Sequence, residues 1–327
     1  MPVYNGAEYL AESVESILGQ TFQNFEFVIL DDGSTDRTPT ILREWAGRDK
    51  RIRVVASPHR LGVVGSANRV VREAHAAVCA RMDADDLSHP DRLQRQWDVL
   101  ASHPDVGLVG TLAEAIDAHG HVIRTRDRST LLRGGAIPPF PHGSAMFRRQ
   151  TFDEVGGYRA ACAFWEDRDL FIRMSHQARI LVLPFPLYRL RCHSQSVRFH
   201  APQREVREAF HLMYQCLARY RAGEDYTPLL EDVVGRQDAD REEELYWLSA
   251  LGSLRLWAGD RPGILKDVKA LRGIRFTRSS LRVFGLATLG ELSPALYRRL
   301  SQGLYRLRDS RASAKVDDWR PVEWRFR

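Results

Sequence analysis

Long apolar runs, lysine and paired cysteines are scarce in this chain of 327 residues. No apolar run approaches the roughly 18–20 residues that a membrane-spanning helix needs. The first residues, MPVYNGAEYL, lack the basic flank and apolar stretch of a secretory leader, so a cytoplasmic protein is expected. Cys79, Cys162, Cys192 and Cys216 are scattered, with no CxxC and no zinc-ligand spacing. That argues against a disulfide scaffold or zinc module and for buried thiols in a reducing compartment. Lysine occurs only at 50, 266, 269 and 315. No basic stripe interleaved with aromatics runs through the body, so no nucleic-acid partner is expected. Basic and acidic residues nearly balance over 1–200, at 25 against 24, whereas 295–327 holds nine against four. The net charge of +6 is therefore mainly a property of the tail. Hydrophobic residues, at 44%, are numerous enough for a sizeable core and exclude an intrinsically disordered chain.

The first 110 residues alternate strand and helix signals, which predicts βαβ units. Leu10, Val14, Ile17 and Leu18 follow helical spacing after a turn at Asn5-Gly6. The apolar run 25–30 is a predicted strand that ends in Asp31-Asp32-Gly33-Ser34. Strands are predicted at 51–56, 77–82 and 106–111, with helices over 38–46, 63–76 and from about Pro90. Further on come a hairpin near His119-Gly120, a strand at 143–147 and a helix from Glu166 to about His176. Two short strands follow, at 180–183 and 187–190. Past a boundary at 198–204, strand signals vanish and 205–220, 240–257 and 280–289 read as helical. The expected fold is α/β: a Rossmann-like, mixed but mainly parallel sheet flanked by helices, then a smaller α-helical region over 201–327.

In such sheets ligands bind beyond the carboxyl ends of the strands. Two acidic clusters fall there, Asp31-Asp32 and Asp83-Ala84-Asp85-Asp86. Neighbouring carboxylates repel one another unless positive charge sits between them. A divalent cation with oxygen ligands relieves that repulsion and can also hold a diphosphate. Either cluster alone reads more readily as turn punctuation than as a site. Two at successive strand ends favour function.

The segments MPVYNGAEYL, LDDGSTD (30–36), ARMDADD (80–86), HGSAMFRR (142–149) and WEDRDLFIR (165–173) occur in that order. As a set they resemble the family 2 glycosyltransferases, which have the GT-A fold, over about residues 1–200. The resemblance implies an inverting transferase with a nucleotide-diphosphate sugar donor and Mg2+ or Mn2+. Its acceptor would be a hydroxyl of a glycan or lipid-linked molecule, in cell-surface polysaccharide or glycoconjugate synthesis. Residues 1–110 would form the nucleotide-sugar half and 111–200 the acceptor half. By the same resemblance Pro2 and Tyr4 belong to the base site, with Tyr4 stacking on the base and Asp32 reading its edge. Asp83 and Asp85 form the DxD element, with Asp85 as metal ligand, and Arg81 and Arg60 would offset phosphate charge. His193, in the loop beginning Arg191-Cys192, is expected to contact the metal or phosphate. Asp167 is the expected general base, since inversion needs a carboxylate to deprotonate the attacking hydroxyl. Glu166 would orient the base or the acceptor, and His142 would bind the acceptor, as would Trp165 if it stacks on a sugar face and is not a core or rim residue. Members of the family carry several apolar residues ahead of the MPVYN-like segment, so either a late-called start or a shortened first strand is expected here.

Two other classes fit less well. A nucleotidyltransferase would show a glycine-rich loop with a basic signature near its N-terminus, where this chain has MPVYNGAEYL. A non-catalytic sugar-nucleotide scaffold would have lost its acidic sites, and both are present. In the tail, Leu296, Leu300, Leu304 and Tyr305 recur near helical spacing among Arg298, Arg299, Arg306, Arg308 and Arg311. A basic amphipathic segment of this kind either packs on the catalytic domain with a solvated basic face or lies on an anionic membrane surface, which makes 293–311 a candidate peripheral contact on the inner face of the cell membrane.

Overall fold

The computed structural model describes residues 1–125, 140–193, 195, 203–231 and 321–324. Its first hundred residues realise the expected alternation. Strands β1 (Pro2–Val3), β2 (Phe27–Asp31) and β3 (Ile52–Ala56) pair in parallel, in that order, with Pro2 opposite Leu30 and Phe27 opposite Ile52. Helices α1 (Leu10–Leu18), α2 (Thr38–Arg48) and α3 (Gly62–Glu73) connect and follow them. On β2, Val28 and Leu30 pack in one cluster with Ala67, Val70 and Val71 of α3. Phe27 and Ile29 pack in another with Leu10, Val14 and Ile17 of α1 and Leu42 of α2. Both faces of β2 are thus buried, which is why its sequence is a continuous apolar run and not an alternation.

The second sheet runs β10–β9–β6–β8–β4, with β5 on β9. Its strands are β4 (Val78–Ala80), β5 (Leu87–Ser88), β6 (Val106–Ile116), β7 (Val122–Thr125, paired with β6), β8 (Met146–Arg148), β9 (Arg179–Arg191) and β10 (Val322–Trp324). The pairs β4–β8, β6–β8, β5–β9 and β10–β9 are antiparallel. The architecture is therefore mixed, with parallel pairing in the first sheet. Helices α4 (Arg92–Ser102), α5 (Arg149–Glu154) and α6 (Glu166–Gln177) complete this part. Two short strands expected near 180 and 187 are one strand, β9. Pro184 and Pro186 cannot donate to a ladder, and they lie between the pairing of β9 with β10 at 180–182 and its pairing with β5 at 188–189. Strand β10 corrects the expectation that strands end at 200. Its Val-Glu-Trp is too short for periodicity to reveal, yet Trp324 is buried in the same cluster as β2.

The chain divides into two compact units. The first comprises Met1–Glu114, Thr125–Leu190 and Asp317–Arg327, and the second Ala115–Arg124 and Arg191–Val316. In the second, the expected hairpin turn forms: the Asp117 carboxylate accepts the backbone N–H groups of His119 and His121, and the chain enters β7 (Val122–Thr125). Helices α7 (Gln203–Arg221) and α8 (Thr227–Glu231) bury Leu212, Met213, Cys216, Leu217 and Leu230, and Tyr226 just ahead of α8 is buried too. Residues 240–257, 280–289 and 293–311, read above as helical or membrane-binding, lie outside the described residues. Among the described residues no helix is long and apolar enough to cross a membrane. Cys162, Cys192 and Cys216 are buried thiols, and Cys79 is half-buried.

Candidate active site

At the end of β2 the chain must turn, and its carboxylates organise the turn. Asp31 accepts the Ser34 N–H at 3.0 Å. Asp32, 3% exposed, accepts the N–H groups of Leu61 (2.6 Å) and Gly62 (2.9 Å) at the start of α3. These donors are among those a helix N-terminus leaves without intrahelical partners. Asp32 thus fastens α3 to β2, and each of its oxygens keeps further lone-pair capacity. Tyr4 follows β1 on a laced loop. Backbone N–H groups of Asn5, Gly6 and Ala7 donate to Ser34, Thr38 and Asp36, and the Asn5 side chain accepts from the Thr35 N–H. Tyr4 is 38% exposed, and the Arg60 guanidinium lies over its ring, 3.8 Å from the centroid.

Beyond β4 stands the second acidic cluster. Arg81 donates to Asp83 Oδ1 through Nη2 (2.8 Å) and Nε (3.1 Å). Burial would raise the Asp83 carboxyl, but Arg81, followed by His142, holds it below its ordinary value. Burial would likewise lower Arg81, and Asp83 keeps it raised. The Asp83 N–H donates to the Tyr188 hydroxyl, which donates to Asp86 at 2.8 Å. Gly143 passes so close that a Cβ there would meet Tyr188 Oη at 1.9 Å and Asp83 Oδ2 at 2.8 Å. Only glycine fits that approach. Beneath, the fully buried Arg92 donates to the carbonyls of Arg81 and Gly143, both at 3.0 Å, and to Ser88. It ties the DADD loop to the HGS turn at His142–Ser144, and burial lowers it to about 10.

Glu166 and Asp167 open α6, where the positive end of the helix dipole favours carboxylates. Two residues earlier Phe164 adopts φ +73°, a left-handed conformation that is costly for a bulky side chain. Glu166 is 8% exposed. Burial, then the charge of Asp167, pushes it up to about 7, with Arg81 opposing. Asp167 is half-buried and its Oδ1 accepts the Arg168 N–H. His142 Nε2 lies 2.6 Å from the Tyr158 hydroxyl. Burial and Arg81 push His142 down to about 4, against the pull of Asp167 and Asp83.

Arg81, Asp83, His142, Glu166 and Asp167 therefore share one electrostatic neighbourhood, although its two ends lie 86 positions apart in the sequence. Pro2 is half-buried in β1, and Asp85 is half-buried in the DADD loop. His193 belongs to the second unit, where it is buried. Trp165 is a correction. It is 0% exposed, so it offers no ring face for an acceptor sugar to stack on. Sequence reading missed Arg92, Tyr158 and Tyr188, which hold the site from behind. The proline-Asp-Arg start of α4 and the glycine of HGS were the available signals for two of them.

Among the described residues no group of three or more His, Cys, Asp or Glu is arranged to hold a metal ion. What the strand ends offer is carboxylate oxygen. That donor type suits Mg2+ or Mn2+ if the remaining positions are filled by phosphate oxygens and water, as is usual for a small hard cation.

Comparison with known proteins gives the following. The family model described as Glycosyl transferase family 2 matches residues 1–164. EpsE of Bacillus subtilis (strain 168), named a glycosyltransferase, is 31% identical over 229 residues, covering 68% of this chain and 81% of EpsE. Chondroitin synthase of Escherichia coli is 27% identical over 54% of this chain, which corresponds to only 26% of that protein. Among solved structures, the mannosyltransferase PcManGT from Pyrobaculum calidifontis, in complex with GDP-Man and Mn2+, matches with a TM-score of 0.54 and 21% identity. That match covers 97% of this chain and 86% of PcManGT. Residues 1–349 of S. aureus TarS, in complex with UDP-GlcNAc, match with a TM-score of 0.55 and 17% identity over 100% and 95% of the two chains. At these identities the two structures speak to the fold, which is that of GT-A glycosyltransferases.

Proposed function

The chain belongs to glycosyl transferase family 2, and on that premise we propose that it moves a sugar from a nucleotide-diphosphate donor to a hydroxyl of a glycan or lipid-linked acceptor, with inversion, in polysaccharide or glycoconjugate synthesis. The observation that carries this reading is the shared neighbourhood of Arg81, Asp83, His142, Glu166 and Asp167. It sets a charge-balanced strand end against a pair of carboxylates. One side suits a diphosphate and the other a hydroxyl that must lose a proton.

In this reading the base of the donor stacks on Tyr4 after Arg60 has moved aside, next to Pro2 and Asp32. Arg81 faces the diphosphate. Asp83 and Asp85 hold a divalent cation, which when bound offsets charge on the leaving diphosphate. Arg81 takes one oxygen of Asp83, Oδ1, which leaves Oδ2 to face the cation beside Asp85. Asp167 accepts the acceptor's proton as the hydroxyl attacks the anomeric carbon. Glu166, carrying part of a proton near neutrality, keeps the pair from holding two full charges. The partners that support a nucleotide-sugar donor are those named for the neighbours PcManGT and TarS. A peripheral membrane contact through 293–311 belongs to the same reading, on the strength of its basic amphipathic sequence.

A panel of nucleotide sugars, assayed for hydrolysis and binding with and without Mn2+, tests the proposal. One donor class should bind in a metal-dependent way, and Asp85→Ala should abolish that dependence. Binding that ignores metal in both proteins would remove the DxD assignment.

A further inference from the structure

The His142 ring is held by one nitrogen. Nε2 lies 2.6 Å from the Tyr158 hydroxyl, and Nδ1 makes no hydrogen bond to a described residue. The phenol decides which partner donates. Tyr158 is 4% exposed, and His142 Nε2 is the one hydrogen-bond partner of its hydroxyl among the described residues. A buried O–H left without an acceptor costs about 1–3 kcal/mol. The phenol proton therefore points at Nε2, which must carry a lone pair. A neutral imidazole with an accepting Nε2 has its own proton on Nδ1. The low pKa of His142, about 4, agrees with a neutral ring.

Tyr158 is itself fixed from three sides. Asn68 of α3 grips its backbone in both directions, donating to the carbonyl and accepting from the N–H, each at 2.9 Å. Gly157, at φ +67°, allows that grip, since a Cβ there would meet Asn68 Oδ1 at 2.7 Å. Arg173 of α6 donates to the carbonyls of Val155 (2.6 Å) and Gly157 (2.7 Å), and is paired with the fully buried Asp169. The Tyr158 ring also packs edge-on against Phe152. Residues from α3, α6 and the 155–157 turn thus converge on the placement of one hydroxyl.

We propose that Tyr158 is a positioning residue that locks His142 as its Nδ1–H tautomer, so that the ring meets a sugar hydroxyl as a hydrogen-bond donor and not as a base. The functional half of this rests on the transferase reading above. An Nδ1 lone pair would make the imidazole a rival to Asp167 for the acceptor's proton. With Nδ1 protonated, His142 holds a sugar oxygen by donation, and proton removal falls to the carboxylates.

The test has two arms. In the first, long-range 1H–15N correlation spectra of histidine-labelled protein at pH 7, with His142 assigned by His142→Gln, report the tautomer without any substrate. Wild type should show Nδ1 protonated and Nε2 bare, and Tyr158→Phe should move the proton toward Nε2. In the second, with a methyl glycoside as acceptor probe, Tyr158→Phe should raise the acceptor KM by roughly 5–30-fold, the loss of one good hydrogen bond. Donor Kd should stay within about twofold of wild type, because the donor contacts are untouched. His142→Asn, whose amide N–H can stand in for Nδ1–H with no tautomer to set, should be insensitive to adding Tyr158→Phe. A proton on Nε2 in the wild type overturns the proposal. So does a Tyr158→Phe protein with unchanged tautomer and unchanged KM. Absence of transfer from every nucleotide sugar would sink the transferase reading instead, and the spectra would still decide the tautomer.

Discussion

Replacing Glu166 by glutamine should remove a specific pH dependence from the stability of the first unit. The Glu166 carboxyl titrates at about 7 in the folded chain, against 4.5 for an ordinary glutamate, because burial and then Asp167 disfavour its charge. Between those two values the folded state holds a proton that the unfolded chain has released. Wherever the folded state binds more protons, stability falls as pH rises. The wild type should therefore lose stability from pH 4.5 up to about 7, and the loss should level off above that. At about 1.4 kcal/mol per pH unit the whole effect is about 3 kcal/mol. Glutamine keeps the shape and cannot ionise. The stability of Glu166→Gln relative to wild type should thus rise by most of that amount between pH 5 and pH 8. Urea unfolding at the two pH values measures it, with the slopes checked for equality so that midpoints can be compared. Taking the difference of differences cancels the other titrating groups. Asp167→Asn should shrink the effect, since it deletes the second cause. If the Glu166→Gln difference is the same at both pH values within about 0.5 kcal/mol, far below the worked magnitude, the buried, charge-opposed carboxyl described here does not exist.

Asp167→Asn should cost roughly 10²–10⁴ in transfer rate, the usual worth of a general base, with donor affinity nearly unchanged; turnover within a few-fold of wild type would move the base to Glu166. Arg60→Ala should tighten nucleotide binding about 2–5-fold by calorimetry, because an exposed cation–π contact of about 0.5–1 kcal/mol no longer has to be broken before a base stacks on Tyr4. Weaker binding would show instead that Arg60 holds the ligand. Gly143→Ala should destabilise the chain by about 1–3 kcal/mol in thermal or urea unfolding, the range for overpacking, since the new methyl collides with Tyr188 and Asp83. Full-length protein should sediment with anionic vesicles at low salt and release at high salt if 293–311 binds a membrane surface, whereas binding to neutral vesicles alone would refute the electrostatic part.

The elements that sequence made legible are those whose signal is local. The run Phe27–Leu30 and the helical spacing of Leu10, Val14 and Ile17 place β2 and α1 without reference to the rest of the fold. The acidic ends Asp31-Asp32 and Asp83–Asp86 are legible for the same reason, because a turn and a cluster of charge can both be seen in a few residues. Strand β10 shows the converse. It is three residues long, and it is a strand because β9 offers partners 140 to 144 positions earlier in the sequence. Trp165 shows the limit of reading a side chain from its sequence neighbours. Beside Glu166-Asp167 it reads as a binding residue, but a large apolar ring next to a functional pair is as useful inside, and burial settled it there.

What lay hidden in the candidate site is the layer of polar groups behind it. Arg92 reads as an ordinary first-turn residue of an exposed helix, yet it is fully buried and joins two carbonyls 62 positions apart. Tyr188 reads as one apolar residue in a strand, and its hydroxyl links Asp83 to Asp86. Asn68 reads as a mid-helix polar residue, and it grips Tyr158 from 90 positions away. None of these has a local motif because none acts locally: each satisfies backbone or side-chain groups that only the tertiary fold brings to it. The signals that did exist were indirect. A glycine in His142-Gly143-Ser144 has no turn of positive φ to explain it, and the space that it leaves is taken by Tyr188 and Asp83. A glycine needed for close approach thus marks, from the sequence side, a place where two distant functional segments meet.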